Sequence, residues 1–391
     1  MSLQASSRRE FVCVALGAGV AASAWSAPTG GCVEGADLEN AKREVETVLE
    51  SGMNGWKVPS AGYAIVECGQ VAAARSLGVL RAGTNRVANA GTLYQAASIS
   101  KTVAALTALK LVEEGKVTLD EGVSPKLKSW HLPPGQQSAQ YPVTLRRLLG
   151  MTAGVNVHGF AGYPAGAPIP TLVQILEGVK PTVNSEPIRI DSRPGSKEEY
   201  SGGGYEIAEL LMEDVTGERF AELAKRLVFD PLAMKDSNMS QPLAPEYVPR
   251  TSEGHNEAGK PIAGRWHTYP ERAAAGVWTS PSDLARMTAG ISASYLGRGF
   301  LKRELAVEMM AQVDGFNYGL GGAVLGSGKS LTFNKVGDND GYHCFLMMFP
   351  ETGQGITMMT NSDGGTKLFA PAVRAAAKAL HWPPYRGLAE I

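Results

Sequence analysis

Ser98 and Lys101 place a hydroxyl and an amine three residues apart, at the start of an apolar, helix-like segment. Residues with this spacing lie on one face of a helix, with their Cβ atoms about 5 to 6 Å apart. The amine of Lys101 can therefore act as the base that a serine nucleophile needs. No other serine in the chain has a lysine three residues later. The pair predicts a nucleophile with its activating base, although a helix cap followed by a solvated lysine would show the same two residues.

Two further segments carry groups that can complete such a site. A glycine-rich loop over residues 199–205 opens a helix, and the phenol of Tyr200 can relay a proton between a nucleophile and a leaving group. Lys335-Val336-Gly337 is the one Lys-x-Gly sequence in the chain. Its lysine adds positive charge, and its glycine leaves an open strand edge for substrate. Considered alone, Tyr200 could equally be an aromatic residue packed in the core, and Lys335 could equally be a charged residue on an edge strand.

The hydrophobic pattern predicts the elements that position these groups. A helix is expected from Ser98 to Glu114, with Gly115 as its C-terminal stop. Alternating apolar residues predict a hairpin around Gly69 and a meander of strands in the last third of the chain. The expected fold class is α+β, an α/β sandwich whose antiparallel sheet is flanked by helices. The predicted strands are 63–66, 75–80, 331–335, 342–348 and 355–359, with turns at 338–341 and 351–355, and the predicted flanking helices are 36–49, one starting at Pro281, and 369–381.

The middle of the chain is rich in proline and glycine and interrupts the alternation of strands and helices. We therefore predict an inserted, mainly helical domain at 128–275, and a sheet domain composed of residues 36–127 and 276–391. Helical patterns within the inserted domain lie at 145–149, 172–176 and 205–215.

Residues 1–27 resemble a twin-arginine export signal. Two arginines lie in the segment 7–12, an apolar run follows, and small residues at 22–24 suit a cleavage site. The run is too short to span a bilayer, so we expect cleavage rather than a transmembrane segment. The predicted location is the periplasm, although a tail with two adjacent arginines and no signal function would show the same pattern.

The composition excludes several classes of partner and cofactor. The 391 residues carry a net charge of −1, so there is no broad basic surface for nucleic acid or acidic lipid. The cysteines show no CxxC or His-rich spacing, which argues against a zinc site and a disulfide framework. We expect no metal and no cofactor. The four cysteines are Cys13, Cys32, Cys68 and Cys344.

Two other enzyme classes are disfavoured. Residues 323–330 nearly match a phosphate-binding loop, but Ala323 stands where glycine is needed, and a strand-like pattern follows Ser330. The Gly-x-Ser-x-Gly motif of many Ser-His-Asp hydrolases does not occur.

Three motifs occur along the chain in this order: Ser-x-x-Lys at 98–101, Tyr-Ser-Gly at 200–202 and Lys-Val-Gly at 335–337. Their types, order and spacing resemble those of the serine β-lactamase and penicillin-binding protein superfamily. The most similar branch contains class C β-lactamase-like proteins, carboxylesterases, D-aminopeptidases and DD-carboxypeptidases. The resemblance covers about residues 40–385 and implies a β-lactamase/transpeptidase-like fold. Its supporting segments are 144–154, 215–217, 274–284 and 339–342.

The resemblance also implies a mechanism. Ser98 attacks an acyl carbonyl, Lys101 and Tyr200 move the proton, and water later releases the acyl group from the serine. The backbone N–H groups of Ser98 and Asp338 form the oxyanion hole, where the loss of one donor typically costs about 100- to 1000-fold in rate. The residues implied for substrate binding are Lys335, Gly337, Asp338 and Gly202.

Departures from the family pattern bear on the substrate. Gly202 stands where penicillin-recognising members commonly have asparagine, and Val336 replaces a threonine or serine that would bond a substrate carboxylate. Lys335 is retained as in β-lactamases, whereas many esterase and peptidase relatives have histidine there. Lost hydrogen bonds discriminate strongly between substrates, so a serine hydrolase acting on a small ester, amide or short peptide is expected.

Two alternatives stay open on the sequence. One is a β-lactamase or DD-carboxypeptidase proper. The other is a non-catalytic cell-wall or penicillin-binding sensor that acylates once, which Gly202 and Val336 both motivate because a shared fold does not fix function.

Overall fold

The structure is a computed structural model that describes residues 35–386, and the predicted signal at 1–27 lies outside the described residues. In that part of the chain the α-helices are α1 (Ala36–Trp56), α2 (Ser100–Glu113), α3 (Leu145–Leu149), α4 (Leu172–Glu177), α5 (Gly202–Thr216), α6 (Phe220–Ala224), α7 (Arg272–Ala275), α8 (Pro281–Tyr295), α9 (Arg303–Met309) and α10 (Phe369–Ala379). The strands are β1 (Ser60–Glu67), β2 (Gln70–Gly78), β3 (Tyr94–Gln95), β4 (Trp278–Thr279), β5 (Ala323–Leu325), β6 (Thr332–Asn339), β7 (Tyr342–Phe349) and β8 (Gln354–Thr360).

Six strands form one antiparallel sheet in the order β2-β1-β8-β7-β6-β5, and the short strands β3 and β4 pair separately. The predicted α+β class is therefore confirmed, with the hairpin around Gly69 and the C-terminal meander in the expected places. The division into residues 36–127 with 276–391 and an inserted 128–275 stays a prediction.

The central strand β7 shows how the sheet is buried, because helices cover both of its faces. Successive side chains of a strand point to opposite faces. Phe345 and Met347 pack with α1 and α10, whereas Leu346 and Met348 belong to the larger core that contains α2 and α5. All eight residues of β7 are buried, as expected for a strand that is covered on both sides.

Helix α8 covers the same sheet near β1 and begins as its sequence predicts. The Ser280 hydroxyl accepts a hydrogen bond from the Asp283 N–H at 3.3 Å, and Pro281 occupies the first turn. Ala285 of this helix packs with Ala64 and Val66 of β1.

Three details differ from the sequence-based expectations. Residues 97–99 form a 3₁₀ turn, so α2 begins at Ser100 rather than at Ser98. Strand β6 continues to Asn339, which shortens the predicted turn at 338–341 to its last two residues because pairing with β7 extends that far. Cys68 is disulfide-bonded, a covalent link that the scattered cysteine spacing, which argues against a disulfide framework, did not indicate.

Strand β6 passes unusually close to the 3₁₀ turn 97–99, and Gly337 permits this approach. A Cβ atom at that position would lie 2.4 Å from the carbonyl oxygen of Ala96 and 2.5 Å from the Cys344 Sγ. Both neighbours are buried, and the carbonyl belongs to the backbone, so neither can move aside easily. Glycine is therefore needed for β6 to lie against this turn.

We predict that Gly337→Ala destabilises the protein by about 1 to 3 kcal/mol, because it overpacks a buried contact. Chemical denaturation of the variant and the wild type measures this difference. Gly55→Ala is the matched control, since a Cβ atom there meets nothing within 4 Å, and alanine is the better helix former. Equal unfolding midpoints for Gly337→Ala and the wild type would contradict the close approach.

Candidate active site

Ser98 lies in the 3₁₀ turn 97–99, directly before α2. The preceding residue, Ala97, has a φ of 46°, a left-handed backbone conformation that costs a non-glycine residue about 1 to 2 kcal/mol. Such strain is maintained only where the surroundings enforce it. The close packing of Gly337 on this turn is one such restraint.

Lys101 follows one turn later and points back toward Ser98, as the spacing predicts. Its Nζ lies 3.1 Å from the Ser98 Oγ and donates a hydrogen bond to the carbonyl oxygen of Ala274 at 2.9 Å. Burial lowers the pKa of Lys101; the nearby Tyr200 phenol acts in the opposite direction, and the charge of Lys335 lowers the pKa further. The lowered pKa favours the neutral amine, which is the form that can accept a proton.

Tyr200 lies between two amines. Its hydroxyl accepts a hydrogen bond from the Lys335 Nζ at 2.9 Å, and the Lys101 Nζ lies 5.1 Å from the centre of its ring. The ring of His158 also packs against this phenol, with ring centres 4.7 Å apart. The phenol is thus placed to exchange protons with the groups around Ser98.

Lys335 comes from β6, the strand that lies against the 3₁₀ turn 97–99. Its side chain is buried, and burial lowers its pKa to about 7. Strand β5 pairs with β6 only as far as Asn334, so within residues 35–386 the edge of β6 from Lys335 to Asn339 has no strand partner on that side. This edge is open to an extended substrate, which agrees with the role that the Lys-x-Gly sequence predicts.

A cavity of about 650 Å³ joins these groups. Of the predicted site residues, Ser98, Lys101, Tyr200, Lys335 and Asp338 line it. The remaining lining residues are His158, Gly159, Phe160, Ala274, Ala275, Val336 and Asn339.

Comparison with known proteins agrees with this arrangement. A model of the Beta-lactamase family matches residues 45–381. The chain belongs to the Beta-lactamase family. It is thereby a member of the serine β-lactamase and penicillin-binding protein superfamily, as the motifs indicate.

Individual relatives are distant. Protein flp of Staphylococcus aureus (strain MW2) is 23% identical over 202 residues, which are 52% of this chain and 39% of that protein. The D-amino acid amidase from Ochrobactrum anthropi SV3 has a TM-score of 0.71 at 22% identity, covering 88% of this chain and 98% of its own. EstCE1, a hydrolase with promiscuous acyltransferase activity, has a TM-score of 0.68 at 19% identity, and the match covers 87% of this chain and 98% of the EstCE1 chain. The predicted β-lactamase/transpeptidase-like fold is confirmed.

Gly202 and Gly337, the two other predicted site residues, are buried and are not among the residues that line the cavity of this β-lactamase-family protein. The Gly202 N–H donates a hydrogen bond to the carbonyl of His158 at 2.9 Å. A Cβ atom at Gly202 would lie 2.9 Å from the ring of Phe160. Phe160 therefore packs where the side chain of residue 202 would begin.

Three cavity residues with aromatic or amide side chains were missed as individual site residues. His158 and Phe160 lie in a loop that has no helical or strand period, so no sequence signal marks them. Asn339 appeared only within a family-like segment; its Nδ2 donates hydrogen bonds to the Gln95 Oε1 at 2.7 Å and to the Ala275 carbonyl at 3.3 Å. These bonds connect the end of β6 to Gln95 and to Ala275, which also lines the cavity.

Among the residues that the structure describes, no cluster of three or more His, Cys, Asp or Glu side chains is arranged to hold a metal ion. No described helix is long and apolar enough to cross a membrane.

We predict that Lys335→Met flattens the pH dependence of stability. The pKa of Lys335 falls from 10.5 to about 7 on burial, so between these values the unfolded chain binds more protons at this residue. The free energy of unfolding therefore rises with pH across that window, by at most about 1.4 kcal/mol per pH unit from this group. As the pH falls toward 7 this stabilisation is lost.

Denaturant titrations of the wild type and Lys335→Met across the same pH range measure this slope. The variant also loses the charge that lowers the pKa of Lys101. This second change also reduces the slope of the free energy of unfolding against pH. Equal slopes for the two proteins would show that Lys335 is not buried as described.

Proposed function

We propose that this member of the Beta-lactamase family is a serine hydrolase that forms an acyl-enzyme at Ser98 from a small ester, amide or short peptide. The observation that carries the proposal is the 3.1 Å contact between the Lys101 Nζ and the Ser98 Oγ at the wall of an open cavity. A serine hydroxyl needs an adjacent base to become a nucleophile. Lys101, whose pKa burial lowers, is suited to that role.

The steps follow from the positions of the side chains. The neutral amine of Lys101 takes the proton of Ser98 as its oxygen attacks the substrate carbonyl. Tyr200, hydrogen-bonded to Lys335, then passes a proton to the leaving group, and water attacks the acyl-enzyme with the same groups acting in reverse. The N–H groups of Ser98 and Asp338 are proposed to stabilise the oxyanion, and both residues line the cavity.

The chemistry of the walls favours a neutral substrate. Val336 is exposed at the cavity where a hydroxyl would bond a carboxylate, and Phe160 adds a further apolar surface. The cation that would attract a carboxylate is Lys335, which is only partly charged near neutral pH because its pKa is about 7. A β-lactam, which carries a carboxylate, is therefore expected to be a poorer substrate than a neutral ester.

The structural relatives support hydrolysis of an acyl bond. One is a D-amino acid amidase and another is a hydrolase with promiscuous acyltransferase activity. Their sequence identities to this chain are 22% and 19%, which is enough to infer a shared fold but not a shared substrate. Direct assays must therefore decide between ester, amide and peptide substrates.

We predict that the wild type hydrolyses a short-chain nitrophenyl ester faster than a chromogenic cephalosporin, and that Ser98→Ala lowers the ester rate by about 1000-fold or more. Intact-mass measurement during turnover should show one acyl group on the wild type and none on the variant. Retained ester hydrolysis in Ser98→Ala would refute the nucleophile. A wild type that stays acylated without releasing product would favour the sensor alternative, and a faster cephalosporin reaction would favour the β-lactamase alternative.

We also predict that Tyr200→Phe lowers kcat by about 100- to 10,000-fold, the range expected for loss of a general acid–base group. Tyr318→Phe is the matched control. The Tyr318 ring lies edge-on to Tyr200 with ring centres 6.5 Å apart, and its buried hydroxyl has no hydrogen-bond partner in the described part of the chain. Steady-state kinetics on the same ester compare the two variants. Equal rates for both would show that the Tyr200 hydroxyl takes no part in proton transfer.

A further inference from the structure

Three carboxyl groups are buried behind Lys101, on the side away from the cavity. Glu206 and Glu209 belong to α5, and Glu271 precedes α7; each side chain is at most 1% exposed. An isolated carboxylate is costly to bury, and such groups instead take up a proton. Burial raises the pKa of Glu209 and Glu271 to about 8 and that of Glu206 well above its usual range.

The charged and titratable groups around Glu206 are few. Lys101 faces it from α2, Glu271 from the start of α7, and Glu209 from its own helix. Arg272 and Glu213 act on Glu209 in turn. Burial raises the pKa of each of the three glutamates and so favours their protonated forms, and Glu206 and Glu209 accept hydrogen bonds from the backbone.

Two of these carboxyl groups hold the backbone of α7. The first N–H groups of any helix have no partner within it, and the N-cap residue of α7 makes no side-chain cap. The Glu209 Oε2 accepts a hydrogen bond from the Ala273 N–H at 2.7 Å, and the Glu206 Oε1 accepts one from the Ala274 N–H at 3.2 Å. The single turn of α7 is thus capped by side chains of α5.

The same turn holds the amine of Lys101. The peptide carbonyl of Ala274 accepts a hydrogen bond from the Lys101 Nζ at 2.9 Å, and that amine lies 3.1 Å from the Ser98 Oγ. A continuous path of contacts therefore runs from Glu206 through the backbone of Ala274 to Lys101 and the nucleophile. A shift of the Ala274 carbonyl would move the amine relative to Ser98.

We propose that Glu206 is a positioning residue, which by holding the Ala274 N–H aims the Ala274 carbonyl at Lys101 and so keeps the amine on Ser98. Glu209 holds the neighbouring N–H of the same turn. This role rests on the proposed function of Ser98 and Lys101. It requires only a hydrogen-bond acceptor at residue 206 and no negative charge.

The test compares Glu206→Met with Glu206→Gln, because both side chains match glutamate in length but only glutamine keeps an acceptor. The rate at which a fluorophosphonate labels Ser98 and the kcat for a nitrophenyl ester are measured below the melting temperature of each variant. We expect Glu206→Gln to stay within about 3-fold of the wild type. Glu206→Met should be slower by about 10- to 100-fold in both rates, with KM little changed, because small misplacements of catalytic groups carry penalties of this size.

Glu213→Met is the matched control for loss of stability alone. Glu213 lies on the same helix and accepts a hydrogen bond from the Phe220 N–H at 2.7 Å, so its replacement also leaves a backbone N–H without its acceptor, away from Lys101. Labelling of Glu206→Met at the rate of Glu213→Met would overturn the positioning role while leaving the proposed function intact.

If Glu206→Met does not fold, Glu206→Gln alone tests whether residue 206 acts as a hydrogen-bond acceptor. A loss of 10-fold or more in the glutamine variant would overturn a role that needs only an acceptor. A wild-type protein that is neither labelled nor active would instead refute the proposed function, and the positioning role with it.

Discussion

The amine of Lys101 has been taken out of water, and this desolvation is the constraint on which the site depends. An ammonium group loses its hydration on burial, so its pKa falls and the neutral form becomes accessible. Helix α2 achieves this because nearly all of its residues are buried, polar ones included. The buried amine then needs partners, and the Ser98 hydroxyl and the Ala274 carbonyl lie within hydrogen-bond distance of it.

The remaining polar groups reach this amine from separate parts of the chain. Tyr200 precedes α5, and Lys335 comes from the middle of β6; the bond between their side chains joins the helical side of the cavity to the sheet. A glycine at residue 337 lets β6 approach the 3₁₀ turn 97–99 closely enough for this. The two amines lie on either side of one phenol, as the proposed proton transfer requires, and the backbone of α7 holds the Lys101 amine.

The substrate side of the cavity is less polar than the catalytic side. Phe160 occupies the space beside Gly202, and Val336 presents a branched apolar side chain at the open edge of β6. Phe160, which packs on Gly202, and Val336 therefore line the same cavity. Together they place the proposed catalytic groups beside a surface with less provision for a carboxylate.

The sequence by itself determined the local parts of this protein. The Ser98-to-Lys101 contact follows from helical spacing, and the meander follows from alternation, because both depend on neighbouring residues. Only the tertiary structure decided that Ala274, 173 residues away, holds the amine, that Glu206 caps α7, and that a loop without periodic pattern lines the cavity with Phe160. Such contacts depend on how distant segments pack, and no spacing along the chain encodes that packing.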